Sequence, residues 1–299
     1  MKKIRSFALG ILGAAAGLLL YCGSFYVRSY LENQQTQQAY EQIREACVSP
    51  EYAEDKAEAD KEESNKEKSE KEKSGEQPKK AAPSKKAKKT EKEKEIEESF
   101  GIRWKELREI NSQVVGWIEV PGADISYPAV QGNDDDYYLH HSITGEEDAF
   151  GTIFLGCVNN KDFSDSHSFL YGHNMEGNLM FANLNRYAEP EYLAQHPEFY
   201  IYTPERKLQY RIFSIERAGA RSPGFVYGNA LGSEEYKEQL AIIQELSLYD
   251  TGTETDADKS IVTLVTCTSR LEEDVRMLVH GICTESVDWT EQEESQKAE

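Results

Sequence analysis

The chain has 299 residues, with 34 Lys+Arg against 54 Asp+Glu and a formal net charge of −20. The whole acidic excess lies between residues 99 and 299, because residues 1–50 net +2 and residues 51–98 net −2. A segment this acidic cannot neutralise phosphates, which excludes nucleic acid as a partner; five cysteines, at 22, 47, 157, 267 and 283, are too few and too scattered for a disulfide framework or a CxxC zinc site.

Lys2, Lys3 and Arg5 precede an uncharged apolar run from Ser6 to Val27. As a helix that run would span roughly 33 Å, enough for a bilayer core, and the basic flank favours an inside N-terminus. A cleaved signal peptide would end near Ala14–Ala16, but the run continues past them; a lipoprotein site at Cys22 would need a small residue where Tyr21 stands. Residues 1–27 are therefore expected to be a cytoplasmic N-terminus and uncleaved membrane anchor. Residues 28–96 are expected to be an extracytoplasmic helix, Arg28 to Cys47, followed by a spacer. Positions 51–95 contain no Ile, Leu, Val, Phe or Trp and cannot bury enough apolar surface to offset ordering entropy. Residues 97–289 form the folded domain, and 290–299 an acidic tail.

Within the folded domain, Phe100, Trp104, Leu107 and Ile110 recur at helical spacing and predict a helix over Ile96–Ile110. Eight β-rich segments follow, at Gly116–Val120, Ile125–Val130, Gly151–Leu155, Ser168–Tyr171, Phe199–Thr203, Leu208–Glu216, Ser260–Cys267 and Val275–Cys283. Leu179–Tyr187 reads as a short helix. Ser233 before Glu234 and Glu235 reads as the N-cap of a longer one reaching Leu246. Eight short strands with inserted helices predict a mainly β fold, a closed barrel rather than a βαβ sheet. The chain holds no phosphate-binding glycine loop, HExxH or EF-hand pattern, so no metal or cofactor is expected. The acidic loop Glu272-Glu273-Asp274 reads as a solvated turn.

The last two strands carry the most chemistry. A hairpin centred near Leu271 sets residue 276 roughly opposite residue 266, bringing Arg276 beside Cys267 and leaving Arg270 at the loop tip. A cysteine at a strand end beside a guanidinium suits a nucleophile with an anion stabiliser. The plainer alternative is a small buried Cys and an outward Arg. A thiol needs a basic partner, since at its ordinary pKa of about 8.5 only a small fraction is thiolate at neutral pH. Of six histidines, His173 in Tyr171-Gly172-His173-Asn174-Met175 is the first candidate and His280, inside a strand, the second. His140 and His141 cannot both face one point, His196 precedes Pro197 at a helix end, and His167 reads as a loop residue.

Taken together, Tyr171-Gly172-His173-Asn174-Met175, Thr263-Leu264-Val265-Thr266-Cys267 and Arg276 before an apolar strand resemble a class B sortase. Val115-Gly116-Trp117-Ile118, Ile125-Ser126-Tyr127-Pro128-Ala129-Val130-Gln131 and Gly151-Thr152-Ile153-Phe154-Leu155 extend the likeness over about residues 97–284. It implies an eight-stranded sortase barrel with N-terminal helices and a helix inserted between the sixth and seventh strands. By that resemblance Cys267 would be the nucleophile, His173 the proton donor and acceptor, and Arg276 the oxyanion or substrate stabiliser. Tyr171 and Thr266 would contact substrate. Val265 departs from the Ser often found there, and Gly156-Cys157 from the usual acidic-aromatic pair. The implied activity is a transpeptidase at the cell membrane of a Gram-positive-type envelope, single-pass with its domain outside. It would cleave a sorting signal, of Asn-Pro-x-Thr type, in secreted proteins and pass them to an amine of a peptidoglycan precursor or surface protein subunit. The alternatives are a hydrolytic surface cysteine protease and a non-enzymatic tethered binding module.

Overall fold

The computed structural model describes residues 2–49, 98–175, 177–219, 221–267 and 275–289; residues 2–20, 25, 26, 29, 32, 98 and 267 are described as backbone only. The spacer 51–95, the acidic tail and the loop holding Arg270 and Glu272–Asp274 lie outside them. Eight strands close into a barrel: β1 (Val114–Val120), β2 (Ile125–Val130), β3 (Phe154–Leu155), β4 (His167–Tyr171), β5 (Glu198–Tyr202), β6 (Arg206–Gly219), β7 (Ile261–Cys267) and β8 (Val275–Asp288). Around the barrel the order is β8-β6-β5-β1-β2-β3-β4-β7, with β7 returning to β8. The β2/β3 and β4/β7 contacts are parallel and the rest antiparallel. All eight expected segments contain a strand, although in Gly151–Leu155 only Phe154 and Leu155 are strand. β6 and β8 run longer than their apolar patterns because they pair with each other from Val275↔Gly219 to Asp288↔Arg206, and backbone ladder bonds do not depend on apolar side chains.

Alternation divides each strand between two environments. Leu170, Val262, Leu264, Met277 and Val279 belong to the main core, with residues from every strand around it. On the outer side, helix α4 (Glu234–Glu245), lying between the sixth and seventh strands, packs Tyr236, Leu240 and Ile243 with Phe213, Ile261 and Ile282. Ser233 caps it as expected, its hydroxyl accepting from the Tyr236 amide at 3.1 Å. Burying Leu240 and Ile243 stabilises this contact by roughly 1.5–3 kcal/mol per side chain.

The N-terminal part differs from expectation in two ways. Phe100 (φ 50°) and Gly101 (φ 71°) take left-handed backbone, so Glu98–Ser99 and Ile102–Arg103 form a small hairpin and helix α2 begins only at Trp104, ending at Ile110. The long helix α1 (Lys2–Cys47) also docks: Tyr40 and Cys47 are part of the main core, upstream of residue 97. No helix is long and apolar enough, among the described residues, to cross a membrane; the side chains of residues 2–20, most of the apolar run, lie outside that description. Further along, the helix expected at Leu179–Tyr187 is a 3₁₀ segment at Ala182–Ala188, followed by α3 (Pro190–Gln195).

Candidate active site at the barrel rim

Three neighbouring strands, β4, β7 and β8, converge on one rim. The parallel β4/β7 pairing ends with Tyr171↔Val265, and the Gly172 amide donates to the Val265 carbonyl at 3.1 Å. Two residues further along the chain lie position 173, just past β4, and position 267, the last of β7. Across β7/β8 the antiparallel register sets Cys267 opposite Arg276 and Thr266 opposite Met277. Positions 267 and 276 are therefore directly paired, and position 173 follows two residues beyond the last β4/β7 pair, at the same end of the barrel. The hairpin register differs by one residue from the expected one. Because directly opposed residues share a face, that shift moves Arg276 from the row of Thr266 to the row of Cys267.

His173 is partly buried, and its Nε2 lies 2.8 Å from the Leu139 carbonyl oxygen. A carbonyl oxygen only accepts, so this contact requires the proton on Nε2 and leaves Nδ1 as the ring nitrogen able to exchange one. Gly172 matters for a reason different from a tight turn. A Cβ there would meet Ile153 Cδ1 at 2.7 Å and the Phe181 ring at 2.8 Å, so the chain leading to His173 passes where no side chain fits. Arg276 is partly buried, with one guanidinium nitrogen 3.5 Å from the Val275 carbonyl.

Beside this row is an aromatic patch. Tyr171 stacks on Phe154 with ring centres 5.2 Å apart, and its hydroxyl meets that of Tyr227 at 2.9 Å. Phe169 contacts Tyr227 at 4.4 Å and Phe225 at 5.9 Å. Burial holds the Tyr171 phenol far above its ordinary pKa, so it acts as a neutral, hydrogen-bonding surface. Thr266 lies elsewhere: 1% exposed, it alternates with Val265 and stands in the row of core residues Val262 and Leu264. Its side chain is closed off from the surface beside the aromatic patch.

The remaining histidines separate by depth. His140 reaches Asp136 at 3.9 Å and His141 stacks on Tyr137 at 3.9 Å. His196 packs on Tyr192. His167, expected in a loop because of its Asp and Ser neighbours, instead begins β4 and is 1% exposed. With it, Gln239, Thr263, His280 and Glu216 make a buried polar chain. The Gln239 amide donates to His167 Nδ1 at 2.8 Å; His167 Nε2 then donates to the Thr263 hydroxyl at 2.7 Å, and that hydroxyl donates to His280 Nδ1 at 2.7 Å. His280 Nε2 faces Glu216 Oε2 at 3.6 Å, and Ser222 donates to the other Glu216 oxygen. This ordering requires both imidazoles to be neutral. Desolvation drives the His167 pKa well below its ordinary value, reinforced by nearby His280; desolvation also lowers that of His280, against the opposing pull of Glu216. His280 is thus engaged at Nδ1 by Thr263, while its buried Nε2 faces Glu216 beyond hydrogen-bond distance. Of this chain, the sequence exposed only the packed or hydrogen-bonded role of His280; the β-alternation of His167-Ser168-Phe169-Leu170-Tyr171 could have placed His167 in a strand.

Cys157 is a poor rival nucleophile: desolvation and then the neighbouring Asp135 carboxylate push its thiol pKa up. Cys47 and Cys283 are likewise raised by burial. No group of three or more His, Cys, Asp or Glu side chains could hold a metal among the described residues.

A sortase-domain family model matches residues 118–283. The chain is 31% identical to sortase B of Listeria monocytogenes over 180 residues, 59% of this chain and 72% of that protein. It is similar to the crystal structure of Bacillus anthracis sortase B in complex with AAEK1, at 33% identity and a TM-score of 0.54, covering 61% of this chain and 84% of that one. Clostridium perfringens sortase B is matched at 29% identity and a TM-score of 0.57, over 61% of this chain and all of that one.

Proposed function

This chain belongs to the class B sortases, cysteine transpeptidases of surface proteins, and from that premise we propose how its rim row does the chemistry. Cys267 is the nucleophile. Its thiolate adds to the carbonyl of a Thr within a sorting signal, forming a C–S bond and an oxyanion that Arg276 stabilises. His173, protonated at both nitrogens once the thiol has ionised, delivers its Nδ1 proton to the departing amine as the C–N bond breaks. A thioester on Cys267 and a neutral imidazole remain. An incoming amine gives its proton back to Nδ1 as it attacks the thioester, and the new amide leaves Cys267 free. The observation that supports this reading is the pairing of position 276 with position 267, together with the end of the β4/β7 pairing two residues before both His173 and Cys267.

Tyr171, with Tyr227, forms a wall against which the signal peptide lies, and the signal is of Asn-Pro-x-Thr type. Thr266 has no accessible side chain to offer it. The apolar run Ser6–Val27 behind Lys2, Lys3 and Arg5 is an uncleaved anchor that keeps the domain outside the membrane. Mass analysis of membrane-extracted protein should then find residues before Ala16; a mature N-terminus beyond them overturns the anchor. The deciding experiment for the reaction is intact mass spectrometry of the protein with a library of sorting-type peptides, with and without an added amine. The expected result is an acyl adduct on Cys267 that the amine converts to a ligated product. Hydrolysed peptide regardless of added amine would instead favour a protease, and no adduct would sink the transpeptidase assignment of this site.

A further inference from the structure

The Leu139 carbonyl that accepts from His173 belongs to no strand, so something else must hold it still. Two features of the neighbouring segment do so. The Thr152 amide donates to the Tyr138 carbonyl at 2.9 Å, and the Thr152 hydroxyl to the His141 carbonyl at 2.9 Å, tying down both sides of Leu139. Gly151, at φ 58°, sits directly against the same turn; a Cβ there would meet the Tyr138 oxygen at 2.4 Å and the Leu139 oxygen at 2.9 Å. Only glycine lets the turn stay where His173 needs it.

Helix α1 fastens this arrangement from outside the barrel. The buried Tyr40 hydroxyl lies 3.3 Å from the Gly151 carbonyl and 3.4 Å from the Thr152 hydroxyl. Its ring meets Tyr127 edge-on at 5.2 Å, and the Tyr127 hydroxyl accepts from the Met180 amide at 3.3 Å. The next residue, Phe181, donates its amide to the carbonyl of His173 itself at 2.9 Å. Tyr40 therefore touches both the segment that orients the imidazole ring and the residue that steadies the loop behind its backbone.

We propose that Tyr40, Gly151 and Thr152 are positioning residues for His173, through which helix α1 fixes the Leu139 carbonyl, holds the ring proton on Nε2 and keeps Nδ1 for proton exchange. This rests on the proton-transfer role of His173 given above. It makes the N-terminal helix part of the working enzyme rather than only its tether.

The test uses the full-length chain with Tyr40→Phe, Thr152→Val, Thr152→Ser and His173→Ala. Tyr40→Phe keeps the ring and removes one hydrogen-bonding hydroxyl, so kcat for acylation should fall roughly 3–10-fold while KM changes less than about 2-fold. Thr152→Val should behave alike and Thr152→Ser should recover close to wild-type kcat. Imidazole ¹⁵N spectra should show the His173 proton on Nε2 in the wild type and shared between both nitrogens in Tyr40→Phe and Thr152→Val. Gly151→Ala should give the larger loss if it folds; Tyr40→Phe carries the test if it does not. A wild-type kcat and unchanged His173 spectrum in Tyr40→Phe, with His173→Ala inactive, overturn the proposal alone. Acylation retained in His173→Ala overturns the reading beneath it.

Discussion

Two levels of the same barrel wall, four residues apart along β7 and β8, hold histidines in contrasting surroundings. At the rim, position 267 faces position 276, and His173 has one ring nitrogen engaged by a carbonyl. Deeper in the wall, Thr263 faces His280, and His167 and His280 have every ring nitrogen facing a polar partner. Between the rows, Val265 and Leu278 with Phe169 and Ala218 form an apolar layer. A histidine that is fully buried and hydrogen-bonded within a polar chain stabilises the fold, since an unsatisfied buried partner costs about 1–3 kcal/mol. One that is partly open, with a ring nitrogen that none of the described residues engages, is able to move a proton. Depth and partner count, not residue type, separate the two.

The largest effects should come from breaking the rim row. Cys267→Ala should abolish the acyl adduct, and His173→Ala should lower single-turnover acylation about 10²–10⁴-fold. Neither should shift Tm by more than about a degree, because neither completes the buried chain; a large Tm loss would mean the rim is structural after all. Next come Arg276→Ala and Arg276→Lys, each expected to cost about 10²–10³-fold in acylation with unchanged circular dichroism. Lys fails because a compact ammonium lacks the planar fork of donors. Arg270→Ala should stay within a few-fold of wild type, and the reverse ranking would contradict the observed pairing of Arg276 with Cys267.

Breaking the deeper row should invert the phenotype. His280→Leu or Thr263→Val should cost about 1–3 kcal/mol of stability, read as roughly 2–4 °C in Tm per kcal/mol, while acylation stays within a few-fold. Severe loss of kcat with an unchanged Tm would place these residues in the chemistry instead. The smallest effect is one of pH. His167 and His280 have folded-state pKa values below the ordinary value of 6.5, so the unfolded chain binds protons first as pH falls. Their contribution to stability is complete above about pH 6.5 and is lost as pH drops through the depressed folded values. Tm measured between pH 8 and 5 should fall on the acid side, and His280→Leu should flatten that slope.

Much of this was legible in the amino-acid sequence because it is local. Short runs of β-branched, aromatic or other apolar residues mark the strands, and Ser233 before two glutamates marks the inserted helix, since both signals act over a few neighbouring residues. The motifs around His173, Cys267 and Arg276 likewise carry their family likeness in short segments. Local pattern fails where distant groups decide. The helix expected from Ile96 starts at Trp104 because Phe100 and Gly101 turn the chain into a hairpin that Trp104 holds by donating to Ser99 at 2.7 Å. His167 looks like a loop residue until Gln239, seventy-two positions away, occupies its Nδ1.

From residue order alone, then, came the strand set, the inserted helix and the identity of the residues worth testing. Tertiary structure alone decided their relations: the one-residue register that sets Arg276 opposite Cys267, the closure of Thr266 behind the wall, and the Leu139 carbonyl under His173. The physical reason is that side-chain pattern encodes which face a residue presents within its own element. Pairing register and backbone-carbonyl position, by contrast, are settled by the packing of segments far apart in the chain, as when Tyr40 of α1 reaches Gly151.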